Sequence, residues 1–237
     1  MNKLYVTGGR QRKRLLKPDD EWTLYEKAVV LRVDPETTKA EIAVQYQTPP
    51  EACADENPSI LFKSGTICSG RLYVVTATEV LIYNLPGFEQ AGYVSIPCFN
   101  DLHHVSPTPE GNLAVVSTGL DLVVETALDS TVLREWDVLG GDTWKRFSRQ
   151  TDYRKVPTTK PHMSHPNFVF YIGSELWVTR LMQRDAICLT RPGPRVSIDA
   201  EKPHDGVRYR DRIYFTTVDG KIVIASARAR VYLLLHG

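Results

Sequence analysis

Five of the six histidines in this chain stand just ahead of a recurring apolar segment. They are His103 and His104 before Leu113, His162 and His165 before Leu176, and His204 before Ile213. His104 and His204 both lie nine residues upstream of the first aliphatic residue of that segment, and His165 lies eleven upstream, as a slightly longer turn would give. Three imidazoles brought together from separate stretches suit a divalent transition metal with open positions for water or substrate. His104, His165 and His204 are the expected ligands, with His103 the alternative to His104 because the register is open by one residue. Acidic and amide residues stand beside them: Asn100-Asp101, Asn167 and Asp205. A carboxylate there either orients an imidazole N–H or works as a general base. Asp101 or Asp205 is therefore expected to handle a proton, Asn100 and Asn167 to contact substrate, and Lys63 to neutralise an anionic group.

The elements that must position these residues repeat. An aliphatic residue, mostly followed by an aromatic one, then Val or Phe and a Thr or Ser, recurs five times. The copies are Leu4-Tyr5-Val6-Thr7, Leu72-Tyr73-Val74-Val75-Thr76, Leu113-Ala114-Val115-Val116-Ser117, Leu176-Trp177-Val178-Thr179 and Ile213-Tyr214-Phe215-Thr216-Thr217. Four copies follow a turn-like cluster, such as Ser69-Gly70-Arg71 or Pro109-Glu110-Gly111-Asn112, which closes a hairpin from the preceding strand. A second hairpin follows each copy: 29–33 with 41–46, 80–83 with 92–96, 122–126 with 132–136, 186–190 with 195–198, and 221–225 with 230–235. Helical periodicity is nearly absent. Four short antiparallel strands iterated every forty to fifty residues predict an all-β fold, a β-propeller of about five recognisable four-stranded blades forming one domain over 1–237. A β-sandwich is the alternative, but it does not require one segment to return five times in one order. The first repeat begins at its second strand and carries an insertion from about Gly8 to Lys27. Its inner strand must come from elsewhere, so the ring has either five blades with an imperfect seam or more blades than this chain holds.

Pro203-His204-Asp205-Gly206-Val207, followed by a turn and Ile213-Tyr214-Phe215, resembles the inner-strand signature of NHL-repeat propellers. His103-His104-Val105 through Pro109-Glu110-Gly111-Asn112-Leu113 is similar. The resemblance covers roughly residues 59 to 225. It implies a propeller in which, as in the peptidyl-hydroxyglycine and streptogramin B lyases, axial histidines work with a divalent metal. Asn100-Asp101, Pro166-Asn167 and Asp205-Gly206 also resemble the gluconolactonase family, whose metal is held by a Glu, two Asn and an Asp. Where that family places its Glu, this chain has Ile60-Leu61-Phe62-Lys63-Ser64-Gly65. Fold likeness alone does not define chemistry.

Composition sets the outer bounds. The chain has 237 residues, 42% hydrophobic and 24% charged, ordinary globular values that argue against disorder. Lys+Arg is 29 and Asp+Glu is 28, so no global charge draws the chain to nucleic acid or an acidic membrane. No apolar run approaches a membrane span, and Met1 to Thr7 reads as a strand rather than a signal peptide; a soluble, cytoplasmic protein is expected. The cysteines, Cys53, Cys68, Cys98 and Cys188, form no C-x-x-C pair and are expected to be inert. Two long connections are basic. Residues 142 to 163 balance at +4 and residues 8 to 27 at +2. Arg146 and Arg149 in the first of these are expected to meet an anionic substrate.

Together these features predict a metal-assisted lyase or hydrolase that acts on a small molecule, an anion favoured, at the histidine-lined mouth of the channel. The metal would be zinc, iron, manganese or calcium. The rival expectation is a non-catalytic propeller that binds a protein or carbohydrate through its basic rim loops.

Overall fold

The recurring segment becomes the second strand of blades 2 to 5 and the first described strand of blade 1, and the five antiparallel sheets follow one another along the chain as the blades of a five-bladed β-propeller. This is a computed structural model, and it describes residues 3–13, 21–227 and 234–235. Blade 1 comprises β1 (Leu4–Gln11), β2 (Tyr25–Val33) and β3 (Ala40–Tyr46). Blade 2 is β4 (Ser64–Cys68), β5 (Arg71–Val75), β6 (Val80–Asn84) and β7 (Gln90–Val94). Blade 3 is β8 (Leu102–Pro107), β9 (Leu113–Ser117), β10 (Leu122–Thr126) and β11 (Val132–Asp137). Blade 4 is β12 (Pro166–Ile172), β13 (Glu175–Arg180), β14 (Asp185–Cys188) and β15 (Arg195–Ser197). Blade 5 is β16 (Pro203–Tyr209), β17 (Arg212–Thr217), β18 (Ile222–Ser226) and β19 (Leu234–Leu235). Within each sheet the strands pair in sequence order. Among the described residues there is no α-helix.

The blades stand on period-two side-chain alternation read from both faces. In β5, Leu72 and Val74 enter the core shared with blade 1, while Tyr73 and Val75 enter the core shared with blade 3. In β9, Leu113 and Val115 face blade 2, and Ala114 and Val116 face blade 4. In β13, Leu176 and Val178 face blade 3 and Trp177 faces blade 5. That double burial is why the segment is apolar at successive positions, each large side chain contributing about 1.5–3 kcal/mol on leaving water. The inner strands pack side by side, β4 on β8, β8 on β12 and β12 on β16.

Blade 1 has three described strands, in line with a first repeat that begins at its second strand. The ends of its insertion differ from the sequence reading in not being loop: β1 runs on to Gln11 and β2 starts at Tyr25, with Gly9 opposite Ala28. Gly9 is required there, because a Cβ would stand 2.7 Å from Leu61 and 2.8 Å from the Tyr25 ring. Residues 230–233 of the last expected strand lie outside the described residues. At the faces that no neighbouring blade covers, Leu4 and Val6 of blade 1 and Val207 and Tyr209 of blade 5 are exposed.

Cys53, Cys98 and Cys188 are buried, and all four thiols are free. Burial pushes the Cys98 thiol up to about 12, which leaves it unreactive at neutral pH. No helix among the described residues is long and apolar enough to cross a membrane.

Phe215 is fully buried between blades 4 and 5, its ring edge-on to Phe170 at 6.1 Å. Phe215→Ala is expected to cost about 3–5 kcal/mol of stability, as such truncations do in closed cores. Urea denaturation followed by far-UV circular dichroism checks this; a loss below about 1 kcal/mol would mean that the blade 4–5 core collapses around the gap.

Candidate functional site

The inner strands of blades 3, 4 and 5 begin alike. Leu102, Pro166 and Pro203 take one ladder position, opposite Ser117, Arg180 and Thr217. The residue before each is left-handed: Asp101 (φ 52), His165 (φ 53) and Lys202 (φ 46). In β8 and β12 a register shift follows directly, with His103 and Asn167 as the extra residues; in β16 His204 still pairs with Thr216 and the shift lies between His204 and Val207. A left-handed residue followed by a bulge re-aims the side chains at the strand's entry. His103, Asn167 and His204 each follow their ladder anchor by one residue, and His165 stands where Asp101 does. Pairing across the sheet matches His104 with His204, opposite Val116 and Thr216, so His103 is the residue that the β8 bulge adds. Leu102 stands eleven residues before Leu113, whereas Pro166 and Pro203 stand ten before Leu176 and Ile213.

His103, His165 and His204 meet at one mouth of the channel. The His103 and His165 rings are 4.8 Å apart and edge-on. His204 lies 6.1 Å from His103 and 6.2 Å from His165. His162 stands behind them, its Nδ1 3.0 Å from Nδ1 of His165. Asp101, nearly fully buried, is ion-paired to Lys63 and faces Nε2 of His103 at 3.6 Å and Nε2 of His162 at 4.0 Å. These groups open into a pocket of about 380 Å³, which is also lined by Lys160 and by Trp22 and Leu24 from the blade 1 insertion. The Trp22 ring has the Lys160 ammonium at 4.9 Å and that of Lys63 at 5.7 Å, within cation–π range.

Burial sets the protonation states. It lowers His103 to about 4, with the Lys63 charge adding to the effect. It lowers His165 to about 3, helped by the neighbouring imidazoles. His162 and His204 are also shifted down by desolvation. Burial by itself would raise the Asp101 carboxyl, but Lys63 and His103 outweigh it and hold the group well below the usual carboxylate range. At neutral pH the pocket thus presents neutral imidazoles, one carboxylate and two ammonium groups.

The remaining expected residues lie elsewhere. His104 points between blades: Nε2 meets Thr66 Oγ1 at 2.9 Å, Nδ1 accepts from Val169 N at 3.3 Å, and the ring stacks on Phe168 at 3.6 Å. Asp205 accepts from Thr216 Oγ1 at 2.5 Å and is not among the residues lining the pocket. Asn167 is buried, donating to Pro203 O at 2.9 Å, with its Oδ1 unpartnered. Asn100 donates to the carbonyls of Tyr153 and Val156, both at 2.8 Å. Arg149 pairs with Glu135 and lies over Trp144. Arg146 bridges Asp121 and Asp137. Neither arginine lines the pocket.

Asp121 is a positioning residue that the sequence did not signal. Its buried carboxylate accepts from the backbone N–H of Met163, Ser164 and His165 at 2.9–3.0 Å, which fixes the turn that delivers His165. Bonds to backbone leave no pattern in a sequence, and Trp22 was hidden for a similar reason, lying in an insertion outside the repeat.

The donors suit a divalent metal in type, since a neutral imidazole offers a lone pair. Their directions do not fit one: the His162 and His165 Nδ1 atoms face each other and His103 Nε2 turns to Asp101. Among the described residues no three His, Cys, Asp or Glu side chains are disposed to share an ion.

No protein-family model matches the chain, and no curated protein matches it by sequence. Fold comparison places it among the β-propellers. It superposes on the Pan2 WD40 domain of Neurospora crassa with TM-score 0.55 at 8% identity, covering 88% of this chain and 61% of that one. A 6-phosphogluconolactonase-like protein from Bacteroides uniformis gives 0.54 at 11% identity, covering 100% and 68%. A streptogramin B lyase gives 0.48 at 13% identity, covering 96% and 74%. The chain thus spans less than two thirds of the WD40 domain. The first two likenesses establish the fold.

A pH dependence follows from the depressed imidazoles. The unfolded chain takes up protons near pH 6.5, whereas folded His103 resists until about 4 and His104 and His165 until about 3. Stability is therefore present above pH 6.5 and falls as pH drops toward 4, at about 1.4 kcal/mol per pH unit for each such histidine. Urea midpoints at pH 7.5, 6 and 5 measure it, and His104→Gln is expected to flatten the slope by about one proton.

Proposed function

We propose that the protein is an enzyme of the lyase or hydrolase type acting on a small organic anion held in the histidine pocket. One observation carries the reading: Lys63, Lys160, Asp101 and three imidazoles from separate blades line a single 380 Å³ pocket. Two ammonium groups stand in its lining beside one carboxylate and neutral imidazoles. A carboxylate or similar anion is what such a site attracts.

The roles follow from the geometry. Lys160 and Lys63 hold the anion and stabilise negative charge that develops on it. Asp101 stays ionised and orients His103; as a carboxylate it accepts a proton, as a general base does, and does not donate one. His204 and His165 have lone pairs at neutral pH and serve as proton acceptors toward substrate or water. An anion placed among them favours their protonated form, so binding and proton uptake are coupled.

Rim recognition has less support. Of the basic side chains in residues 142–163, Arg146, Arg149, Arg154 and Lys155 are each paired with an acid of this chain. Their charge is neutralised within the fold instead of being presented to a partner.

Two outcomes are expected. Acetate, titrated calorimetrically, binds at least threefold more tightly at pH 6.0 than at pH 7.5, and the double substitution His165→Ala/His204→Ala removes the dependence. An affinity independent of pH would remove the imidazoles from the site. For a metal, the neutral imidazoles suit in donor type but their directions do not converge on one ion. Elemental analysis decides it: about one equivalent of zinc, iron, manganese or calcium that falls in His204→Ala supports a metal, whereas metal-free protein with intact acetate binding leaves acid–base chemistry alone.

A further inference from the structure

His162 meets His165 through Nδ1 atoms 3.0 Å apart, and a contact of that length between two ring nitrogens holds one proton. Which ring carries it is decided on the far side of His162, where Nε2 lies 3.4 Å from Thr159 Oγ1. A threonine hydroxyl has one hydrogen to give. That of Thr159 also faces two groups that only accept, the Gly119 carbonyl, on which it closes, and Asn100 Oδ1 at 3.3 Å. The Asn100 amide cannot be turned round, because its nitrogen donates to the carbonyls of Tyr153 and Val156, both at 2.8 Å. Gly119 makes room for it, since a Cβ at that position would run into Asn100 Oδ1. The Thr159 hydrogen is thus committed to an acceptor, and its contact with His162 requires that Nε2–H donate to Oγ1. Asp101 Oδ2, 4.0 Å from the same nitrogen, favours a proton there too.

A neutral imidazole with its proton on Nε2 has a lone pair on Nδ1. Burial keeps His162 neutral, so the proton between the two rings is that of His165 Nδ1, donated to His162. The remaining lone pair of His165 is then on Nε2. His165 lines the pocket and His162 does not, so Nε2 is the nitrogen left to the pocket. The backbone holds both rings in this relation, because Asp121 accepts from the N–H groups of Met163, Ser164 and His165 between and at them. Resting on the proton-acceptor role given to His165 above, we propose that Thr159 and His162 are positioning residues that hold His165 in its Nδ1–H form, with the Nε2 lone pair turned to the pocket. A free imidazole exchanges between its two neutral forms, and the bond made by one nitrogen selects which form the other presents. Thr159 does this from outside the pocket, through one intervening ring.

Long-range proton–nitrogen correlation spectra of protein carrying 15N-histidine separate protonated from unprotonated ring nitrogens, and spectra of His162→Gln and His165→Gln assign the two rings. At pH 7.5 without ligand, His165 is expected to carry its proton on Nδ1 and His162 on Nε2, each form exceeding the other at least tenfold. Thr159→Val keeps the shape of the side chain and removes the acceptor. It is expected to bring both ratios below about threefold, and Thr159→Ser to restore them. A proton on Nε2 of His165 in the unaltered protein overturns the proposal, and that spectrum requires no variant to fold. Ratios unchanged in Thr159→Val overturn the role of Thr159. The expected forms in a protein that binds no acetate would overturn the anion reading and leave the positioning of His165 standing.

Discussion

The second strands of blades 2, 3 and 4 each belong to two cores at once, and the site depends on that constraint. Because Leu72 and Val74 serve one core and Tyr73 and Val75 the next, none of these blades buries its apolar surface without both neighbours. Blades packed this way stand in register around the axis, and their inner strands begin at the same height. Side chains at the entries of β8, β12 and β16 then converge whatever their chemistry. Three of them are imidazoles. Convergence comes from the packing, and only the identity of the converging residues is particular to this chain.

Desolvation gives those residues their character. Imidazoles in such a mouth lose water on several sides, which favours the neutral form. One carboxylate survives as an anion beside them because Lys63 reaches it from blade 2. The Asp101–Lys63 pair is thus an inter-blade contact as well as part of the pocket, and its balance of charge matters more than its strength. A buried pair of this kind adds little net stability compared with an apolar substitute. Removing either member would leave the other uncompensated in a place with little water.

The repeat was legible because it is a packing requirement written in apolar residues at successive positions, each copy with a turn cluster nearby. The convergence of His165 and His204 was legible through their distance from the same segment. His104 misled for a physical reason: the bulge falls before it in β8 but after His204 in β16, so two histidines opposite equivalent partners are aimed differently. Counting from the strand's entry, where Asp101, His165 and Lys202 share a left-handed conformation, selects His103 instead. Asp121 and Trp22 left no trace, the first because its partners are backbone N–H groups and the second because its insertion lies outside the repeat.

The basic connection between blades 3 and 4 gains a different meaning from the same geometry. Its length reads as a binding loop, yet it ends by delivering His162 and His165, and its arginines turn inward. Arg146 holds Asp121, and Asp121 holds the amides around His165. Its two short 3-10 turns are capped by Asp142 and Asp152, which leaves the segment little freedom. A loop fixed at so many points acts as a strut: its positive charge balances the carboxylates that place an imidazole.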